Sequence, residues 1–347
     1  MRYDFVSVLA VAVCATLAGA RSYTAIAEWA SDAPRGLRAE LGLPGPVPGL
    51  VTIWRVLTAV DPLALDMVIG AWVAARLAGG QAPAVLAVDG KTLRGARAGQ
   101  DRAPHLMACL DHGAGVVRAQ VAVDGKSNEI PMFGPLLDQI EDLDGVLITA
   151  DAMHAQREHA IYLHKRGGHF ILTVKGNQPG LHRQLRSLPW KDVPAGHAQA
   201  GRAHGRIEKR ALKAVTVTAG LLFPHAQQAI QITRRTRRIT GGKWHTETSY
   251  AITSLPASQA RPDQLATWIR GHWKIENQLH WVRDVTYGED LSTARTGNGP
   301  HVMATLRNLA ISILRLAGRA SIARALRHTA RNPERAFRLR TDASNGK

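Results

Sequence analysis

The stretch AVLAVDGK (residues 84–91) ends an unbroken apolar run on a carboxylate, a glycine and a lysine. A short apolar run bounded by glycine is typical of a strand that is buried on both faces of a sheet. Asp89 is then expected at or near the end of a central strand, where its carboxylate faces the edge of the sheet. Because burying an unpaired carboxylate is costly, this position favours chemistry over core packing. The alternative is a plain Asp-Gly turn between two strands.

A second apolar run, GVLITAD (residues 145–151), has the same form and also ends on an aspartate, Asp151. A third run, GHFILTVK (residues 168–175), follows it. Strands that alternate with helices in this way predict an α/β fold with a mixed sheet flanked by helices. The other predicted elements are a hairpin of His105–His112 and Val116–Val123, and helices over Ser127–Leu143 and Gln156–Lys165.

Residues 1–75 carry apolar residues at helical spacing and predict a small helical domain. Its first segment, Phe5–Ala20, imitates a secretory signal peptide, because Arg2 precedes it and small residues close it. The run is short for a membrane span, and helical spacing continues through Ser22–Ala30. We therefore favour a buried helix of an N-terminal domain. Because the chain starts close to this helix, a missing short leader stays an open alternative.

The charge balance points to a polyanionic partner. The 347 residues include 44 Lys and Arg against 27 Asp and Glu, which gives a formal net charge of +17. Such an excess favours nucleic acid, through phosphate contacts and counterion release, and a membrane surface is the weaker alternative. Cys14 and Cys109 are the only cysteines. Two cysteines cannot build a disulfide framework or a Cys-based zinc site.

Residues 177–261 predict a β-rich insertion that carries charge towards a ligand. Strands are expected at Ala214–Thr218, Ala229–Thr233 and Ser249–Thr253, and we assign the basic segments His204–Arg210 and Arg234–Arg238 to the stretches between them.

After the insertion the helical period resumes. Glu276, His280, Arg283 or Asp284, and Tyr287 recur at a spacing that places them on one helix face. Residues 302–317 predict a further apolar helix, and the arginine-rich residues 319–340 are typical of a solvated tail.

Three carboxylates stand out as candidates for one site: Asp89, Asp151 and Glu276. Functional groups of α/β sheets gather beyond the carboxyl ends of the strands, and a helix packed across that edge would bring Glu276 to the two aspartates. Three carboxylates held together repel one another unless a cation lies between them. Oxygen ligands favour Mg²⁺ or Mn²⁺, and two such ions would clamp the attacking and leaving oxygens of a phosphodiester.

The chain resembles the DDE transposases of the ISAs type, a group that includes the H-repeat-associated proteins. The matching segments are LAGARS (17–22), AVDGK (87–91), ITADAMH (148–154), VKGNQ (174–178), HGRIE (204–208) and RGHWKIENQLHWVRDVTYGED (270–290). The resemblance covers nearly the whole chain, and the last segment is highly specific. It implies an RNase H-like core whose metal-binding acids are Asp89, Asp151 and Glu276, and it implies that the N-terminal apolar run is a domain helix.

On this basis the chain is expected to divide into five segments. These are an N-terminal helical domain (1–78) with a DNA-binding role, the first part of the catalytic core (79–176), the β-rich basic insertion (177–261), the second part of the core with the Glu276 helix (262–318), and a basic tail (319–347). The expected function is that of an insertion-sequence transposase. It would use two Mg²⁺ or Mn²⁺ ions to cut the ends of the element and join them to target DNA. Its expected partners are the terminal inverted repeats and target DNA, it would act as a homodimer in the bacterial cytoplasm on the nucleoid, and no membrane role is expected.

The sequence departs from one signature of such enzymes. Many insertion-sequence transposases carry tyrosine, arginine, glutamate and lysine around the catalytic glutamate. Here the positions of the tyrosine, arginine and lysine hold Ile269, His272 and Arg283. The weaker candidates for DNA contact are Lys91, Arg94, Lys175, Asn177, Gln178, His204, Arg206, His272, His280 and Arg283.

Several assignments have alternatives. Lys175, Asn177 and Gln178 either line the site or form a plain turn, and Asp284 and Asp290 are substitutes for Glu276 as third ligand. Trp273 and Trp281 are expected in the core rather than stacked on bases. His154, His159 and His164 are five apart and share no helix face, so no zinc site is expected. Two other functions stay open: a non-catalytic or decayed DNA-binding relative, and an RNase H-like nuclease that cuts without strand transfer.

Overall fold

The computed structural model describes residues 3–77, 84–97, 99, 102–125, 127–203, 205–217 and 220–344. Its helices are α1 (Phe5–Leu17), α2 (Tyr23–Asp32), α3 (Arg35–Glu40), α4 (Leu50–Ala59), α5 (Pro62–Leu77), α6 (Phe133–Leu137), α7 (Arg157–Lys165), α8 (Pro179–Ser187), α9 (Pro262–Gly271), α10 (Gly299–Leu316), α11 (Ile322–Thr329) and α12 (Pro333–Ser344). Its strands are β1 (Val85–Thr92), β2 (His105–Asp111), β3 (Val117–Val123), β4 (Leu147–Ala150), β5 (His169–Val174), β6 (His197–Ala203), β7 (Arg206–Thr216), β8 (Gln228–Arg238) and β9 (Gly241–Thr253).

The strands form one mixed sheet in the order β3-β2-β1-β4-β5-β9-β8-β7-β6. Strand β1 is parallel to β4, and β4 is parallel to β5. Strand β2 is antiparallel to β3. From β5 onwards each neighbouring pair is antiparallel: β5 with β9, β9 with β8, β8 with β7, and β7 with β6. This mixed sheet is the architecture that the resemblance implied for the RNase H-like core. The predicted fold class, with N-terminal helices and a β-rich insertion, is confirmed.

By contacts the chain divides into two compact units, and their boundaries differ from the five expected segments. One unit comprises Met1–Gln81, Gly90–Ile140 and Lys274–Lys347; the other comprises Ala82–Asp89 and Glu141–Trp273. We refer to them as the helical unit and the sheet unit. The N-terminal helices share the helical unit with the last third of the chain, because α1 and α4 pack on α10.

Helix α10 is the core of the helical unit. Fifteen of its 18 residues are buried, and it contacts α1, α4, α5 and β3. Helix α5 approaches β3 closely at Gly70, where a Cβ atom would lie only 2.6 Å from the carbonyl oxygen of Arg118. Glycine in a helix interior is unfavourable, and here this close approach explains its presence.

Helix α1 is a packed core helix, as the sequence favoured, rather than an exposed leader. Val8, Val11 and Cys14 are at most 1% exposed. The second cysteine, Cys109 of β2, is also fully buried, and burial raises the pKa of both thiols to about 12.

The sheet unit packs α9 against the inner part of the insertion. Leu212, Ile230 and Ala251, from β7, β8 and β9, form a cluster with Leu265 of α9. On the other side of these strands, the Tyr250 ring contacts His182 of α8 and Trp190. The inner ends of the insertion strands are thus covered on both sides.

The sequence placed several boundaries incorrectly. The helix expected over Ser127–Leu143 is limited to a 3₁₀ turn at Ile130–Met132 and α6. The described residues of the insertion form four strands. Strand β6 was not predicted, and β7 and β8 are longer than predicted because the basic segments assigned to connections continue them. Residues 319–340 form α11 and α12 rather than a solvated tail, and Ile322, Ala325 and Leu326 bury an apolar face.

Among the described residues, no single helix is both long and apolar enough to span a bilayer. One bent pair, Leu50–Ala59 with Pro62–Leu77, passes a test of length and composition when its two members are taken together.

Candidate active site

Asp89 and Asp151 emerge side by side from the sheet unit. Val88 of β1 pairs in register with Ala150 of the parallel strand β4, so the next residue on each strand is an aspartate. Neighbouring strands lie about 4.8 Å apart, and paired residues direct their side chains to the same face. Asp89 and Asp151 thus each directly follow a residue of the last β1–β4 pair, and β1 continues to Thr92 beyond Asp89 rather than ending there.

The segment after β4 holds Asp151 in place. Its Oδ1 atom accepts a hydrogen bond from the Met153 amide at 2.8 Å and caps a 3₁₀ turn. Asn177 donates to the carbonyl oxygen of Ala152 at 2.6 Å, and Gln178 donates to Gln156 at 3.3 Å. Two of the candidates beyond β5 thus support the loop that carries Asp151. Lys175, which directly follows β5, is exposed.

His272 occupies the arginine position of the transposase signature and lies against β4. Its Nδ1 atom is 3.2 Å from the hydroxyl of Thr149, and that hydroxyl also donates to the carbonyl of Leu86 in β1. The imidazole therefore lies against Thr149, which precedes Asp151 by two residues.

Glu276 belongs to the helical unit and lies on a π-helical stretch. Residues Ile275–His280 and Val282–Thr286 have π-helical hydrogen bonding, a rare winding found frequently at functional sites. It alters the face predicted for an α-helix: Glu276 is exposed, whereas Arg283 and Tyr287 are fully buried. The alternation of exposed and buried residues here could not be read from a 3.6-residue period.

His280 is the neighbour of Glu276 in the helical unit. The Nδ1 atom of His280 lies 3.6 Å from Oε2 of Glu276, with the imidazole 6% and the carboxylate 50% exposed. Burial is the largest influence on the pKa of His280 and lowers it; Glu276 raises it, Arg283 and Lys91 lower it, and the net shift is downward. The imidazole is thus neutral near pH 7, which is the form that binds metal ions.

The Glu276–His280 pair fits a divalent cation. Both residues offer ligand atoms of a candidate metal-binding group. Ligand atoms about 2.1 Å from a small divalent ion lie at most about 4.2 Å apart, so the separation of 3.6 Å allows both to bind one ion. The i, i+4 spacing of the two residues is visible in the sequence, which predicts only a weak DNA contact for His280.

Two other carboxylates are engaged by basic side chains. Asp284 lies 2.6 Å from the ammonium nitrogen of Lys91, and Asp290 lies 4.0 Å from it and 3.9 Å from Arg94. Lys91 is only 9% exposed, whereas the Arg94 side chain is 80% exposed. Of these two cations, Arg94 is the one that a phosphate can reach.

Gly90, the neighbour of Asp89, is required by a close contact in the helical unit. The imidazole of His105 lies 2.8 Å from Glu129, and a Cβ atom at Gly90 would overlap both side chains. The Asp-Gly dipeptide that suggested a turn is therefore part of a strand, and the glycine makes room for the contact between His105 and Glu129.

Arg283, at the lysine position of the signature, is part of a buried ion triad. It lies 2.9 Å from Glu289, and Arg307 contacts the same carboxylate at 2.9 Å. All three side chains are at most 2% exposed. Burial alone would raise the pKa of Glu289, but the two guanidinium groups outweigh it, and the pKa is lowered. Arg283 is thus enclosed and paired, and no part of it faces solvent.

Four more candidates have simple outcomes. Trp273 and Trp281 are 62% and 55% exposed, so the expectation that they belong to the core is wrong. Arg206 is exposed at the start of β7. His204 lies outside the described residues.

Comparison with known proteins identifies the family. A family model for the transposase DDE domain matches residues 80–313, and a model for the DDE-associated region matches residues 1–73. The chain is 28% identical over 330 residues to "Putative transposase YncI" of Escherichia coli O157:H7, covering 91% of this chain and 83% of that protein. It is 27% identical to "H repeat-associated putative transposase YhhI" of Escherichia coli K12, covering 88% and 84%.

A solved structure of a piggyBac transposase synaptic complex with hairpin DNA aligns with 99% of this chain and 76% of that one, at a TM-score of 0.45 and 11% identity. The DDE-domain match spans well over half of the 347 residues. The chain belongs to the family of DDE-domain transposases.

Proposed function

We propose that this protein cuts the ends of an insertion sequence and joins them to target DNA. Asp89, Asp151 and Glu276 are the catalytic, metal-binding acids in this proposal. The observation that supports it most is the Val88–Ala150 register on two parallel strands, because the residue that follows each partner is an aspartate. Both acids lie inside the residues matched by the transposase DDE domain.

The residues fit a site for two Mg²⁺ or Mn²⁺ ions. We assign Asp89, Asp151 and Glu276 to it as the metal-binding acids, and His280 as a further ligand beside Glu276. Carboxylate oxygens suit these ions, and a neutral imidazole is compatible with Mn²⁺. Bound ions would acidify the attacking water and stabilise the leaving oxygen. The protein's own part is to fix the ligands, which the Asp151 cap and the Asn177 contact do for one of them.

Arg94, Lys175 and Arg206 are the exposed basic candidates for DNA contact, and His272 adds a half-buried one. Because two element ends must be held together for joining, we further propose that the protein acts as a homodimer. Its DNA partners are then the terminal inverted repeats and the target, and its place of action is the bacterial cytoplasm on the nucleoid.

The test uses conservative variants of the three acids. Asp89→Asn, Asp151→Asn and Glu276→Gln keep size and hydrogen bonding while removing the charge that holds metal. We expect each to bind end-bearing DNA as the parent does and to lose Mg²⁺-dependent strand cleavage. Glu158→Gln, an exposed carboxylate on α7, is the control and should cleave normally. Undiminished cleavage by one of the three variants would remove that residue from the mechanism.

A strand-transfer assay separates the two alternative functions from this one. Cleavage without joining of the element end to a target plasmid would indicate a nuclease. Binding of DNA without any metal-dependent nicking by the parent protein would indicate a non-catalytic relative.

A further inference from the structure

The insertion strands β6–β9 extend beyond the helices that cover their inner ends. None of the residues at positions 198–202, 207–211, 233–237 and 244–248 is buried. We call these four segments the outer ribbon. Helix α9 reaches the ribbon at Gln199, to which Arg270 donates a hydrogen bond at 3.1 Å, but the residues of these four segments all stay at least partly exposed.

The pairing register sorts the charges of the outer ribbon by face. Lys209 pairs with Arg235, and Arg235 pairs with Thr246. Side chains alternate along a strand, so Arg237 and Trp244 share the face of Lys209 and Arg235. The cation–ring distances agree: from the Trp244 ring centre, the Lys209 nitrogen lies 5.5 Å away and the guanidinium carbons of Arg235 and Arg237 lie 5.2 and 5.0 Å away. We call this the tryptophan face.

The opposite face of the ribbon carries carboxylates that engage its arginines. Glu208 lies 2.7 Å from Arg234 and also binds Arg210. Glu247 lies 3.9 Å from Arg234. Arg234 and Arg235 are therefore adjacent in sequence and equally basic, but Arg234 is paired with acids and Arg235 has no acidic partner in the described part of the chain.

The tryptophan face holds cations and no acid. Its described strand residues at the ribbon are Ala198, Ala200 and Arg202 of β6, Ile207, Lys209 and Ala211 of β7, Thr233, Arg235 and Arg237 of β8, and Trp244, Thr246 and Thr248 of β9. Like charges this close repel one another, and a single indole ring compensates only a small part of that. The Nε atom of Arg237 is buried and has no hydrogen-bond partner among the described residues. A bound polyanion would therefore neutralise the charges of this face and accept a hydrogen bond from Arg237.

We propose that the tryptophan face binds the phosphate backbone of duplex DNA. Arginine forks match phosphate oxygens, and the contacts of two guanidinium groups and one ammonium with the Trp244 ring pre-order them and reduce the entropy lost on binding. This proposal rests on the transposase function for its choice of DNA, but it concerns binding alone and does not involve the catalytic acids.

The first test measures the salt dependence of binding by the full-length protein to a fluorescein-labelled random-sequence duplex. Arg235→Gln and Arg237→Gln should each weaken binding and lower the magnitude of the log–log salt slope by about 0.9. Arg234→Gln is the matched control, because it removes the same charge from the neighbouring position on the other face, and it should leave the slope unchanged. An unchanged slope in both tryptophan-face variants, or an equal loss in Arg234→Gln, would overturn the assignment.

The second test follows the tryptophan itself. The chain has eight tryptophans, so the contribution of Trp244 is isolated by comparing the parent protein with Trp244→Phe. We expect duplex DNA to change the emission of the parent and to change that of Trp244→Phe measurably less. The same DNA-induced change in both proteins would show that DNA does not reach this face.

Two further measurements separate this proposal from its neighbours. If Asp89→Asn still cleaves DNA while Arg235→Gln binds it poorly, Asp89 is not a catalytic acid, and the tryptophan face is supported as a DNA-binding surface. Tighter binding to a single-stranded RNA than to the duplex, lost in Arg235→Gln, would show that the partner is RNA and would overturn the choice of duplex DNA.

Discussion

At the scale of single residues, the two neighbouring acids are held by different means. Asp89 is an interior residue of β1, whereas Asp151 follows the last residue of β4 and caps the next turn through one oxygen. The sequence predicts that each aspartate follows a buried apolar run, because such a run that ends on aspartate can be recognised without a structure. It could not predict the role of Gly90, because the His105–Glu129 pair that excludes a side chain there is remote in sequence.

Gly90→Ala should destabilise the helical unit. The added methyl group would force His105 and Glu129 apart, and overpacking of this kind costs about 1–3 kcal/mol. Urea unfolding would measure it. Gly125→Ala is the control, because no atom lies within 4 Å of the Cβ position at Gly125. Equal midpoints for the two variants would contradict the close contact.

His280→Gln should weaken metal binding. If His280 and Glu276 share one ion, loss of the imidazole should reduce Mn²⁺ affinity at least as much as loss of an outer-shell partner, by about 10–100-fold. Electron paramagnetic resonance of free Mn²⁺ measures this without any need for activity. His328→Gln, an exposed histidine on α11, serves as the control. Parent-like affinity in His280→Gln would exclude the imidazole as a ligand.

At the scale of elements, the π-helical stretch and the insertion strands show why sequence periodicity failed in two places. The Glu276 region has helical composition, but its hydrogen bonding widens the helix and rotates Arg283 and Tyr287 into the core. In the insertion, residues such as Arg234 and Arg235 are both exposed, so β7 and β8 lack the apolar alternation that identifies a strand. Cross-strand salt bridges and cation–ring contacts replace apolar pairs there, and these involve residues distant in sequence.

Glu289→Gln tests the buried triad that joins the π-helical stretch to α10. Removing one charge leaves Arg283 and Arg307 buried and uncompensated, so we expect a loss of about 3–5 kcal/mol in unfolding free energy. Glu334→Gln is the control, because its pairing with Arg338 is largely exposed and should contribute well under about 1 kcal/mol. A loss in Glu289→Gln no larger than in this control would show that the triad does not stabilise the fold.

The same triad should give the helical unit an acid-sensitive stability. The pKa of Glu289 is lower in the folded chain than its ordinary value of 4.5. A lowered folded-state pKa contributes stability that is present above the unfolded value and is lost as the pH falls through the folded value. The midpoint temperature of thermal unfolding should therefore fall more steeply below about pH 4.5 in the parent than in Glu289→Gln. Parallel pH profiles for the two proteins would contradict this.

At the scale of the whole molecule, the sequence predicted the class of fold but not its division into units. Each compact unit is assembled from separated segments, because β1 leaves one unit at Asp89 and enters the other at Gly90. The N-terminal helices join the last helices of the chain through buried contacts of α1 with α10 and α12. No local pattern of residues reports such contacts between the two ends of a chain.

Because Cys14 and Cys109 are buried, their reactivity can report on unfolding of the helical unit. Both cysteines belong to that unit, and the sheet unit has none. With pKa values of about 12, neither thiol should react with an aromatic disulfide reagent until the helical unit opens. The rate of cysteine labelling in native buffer would therefore measure how often the helical unit opens. It would not respond to opening of the sheet unit.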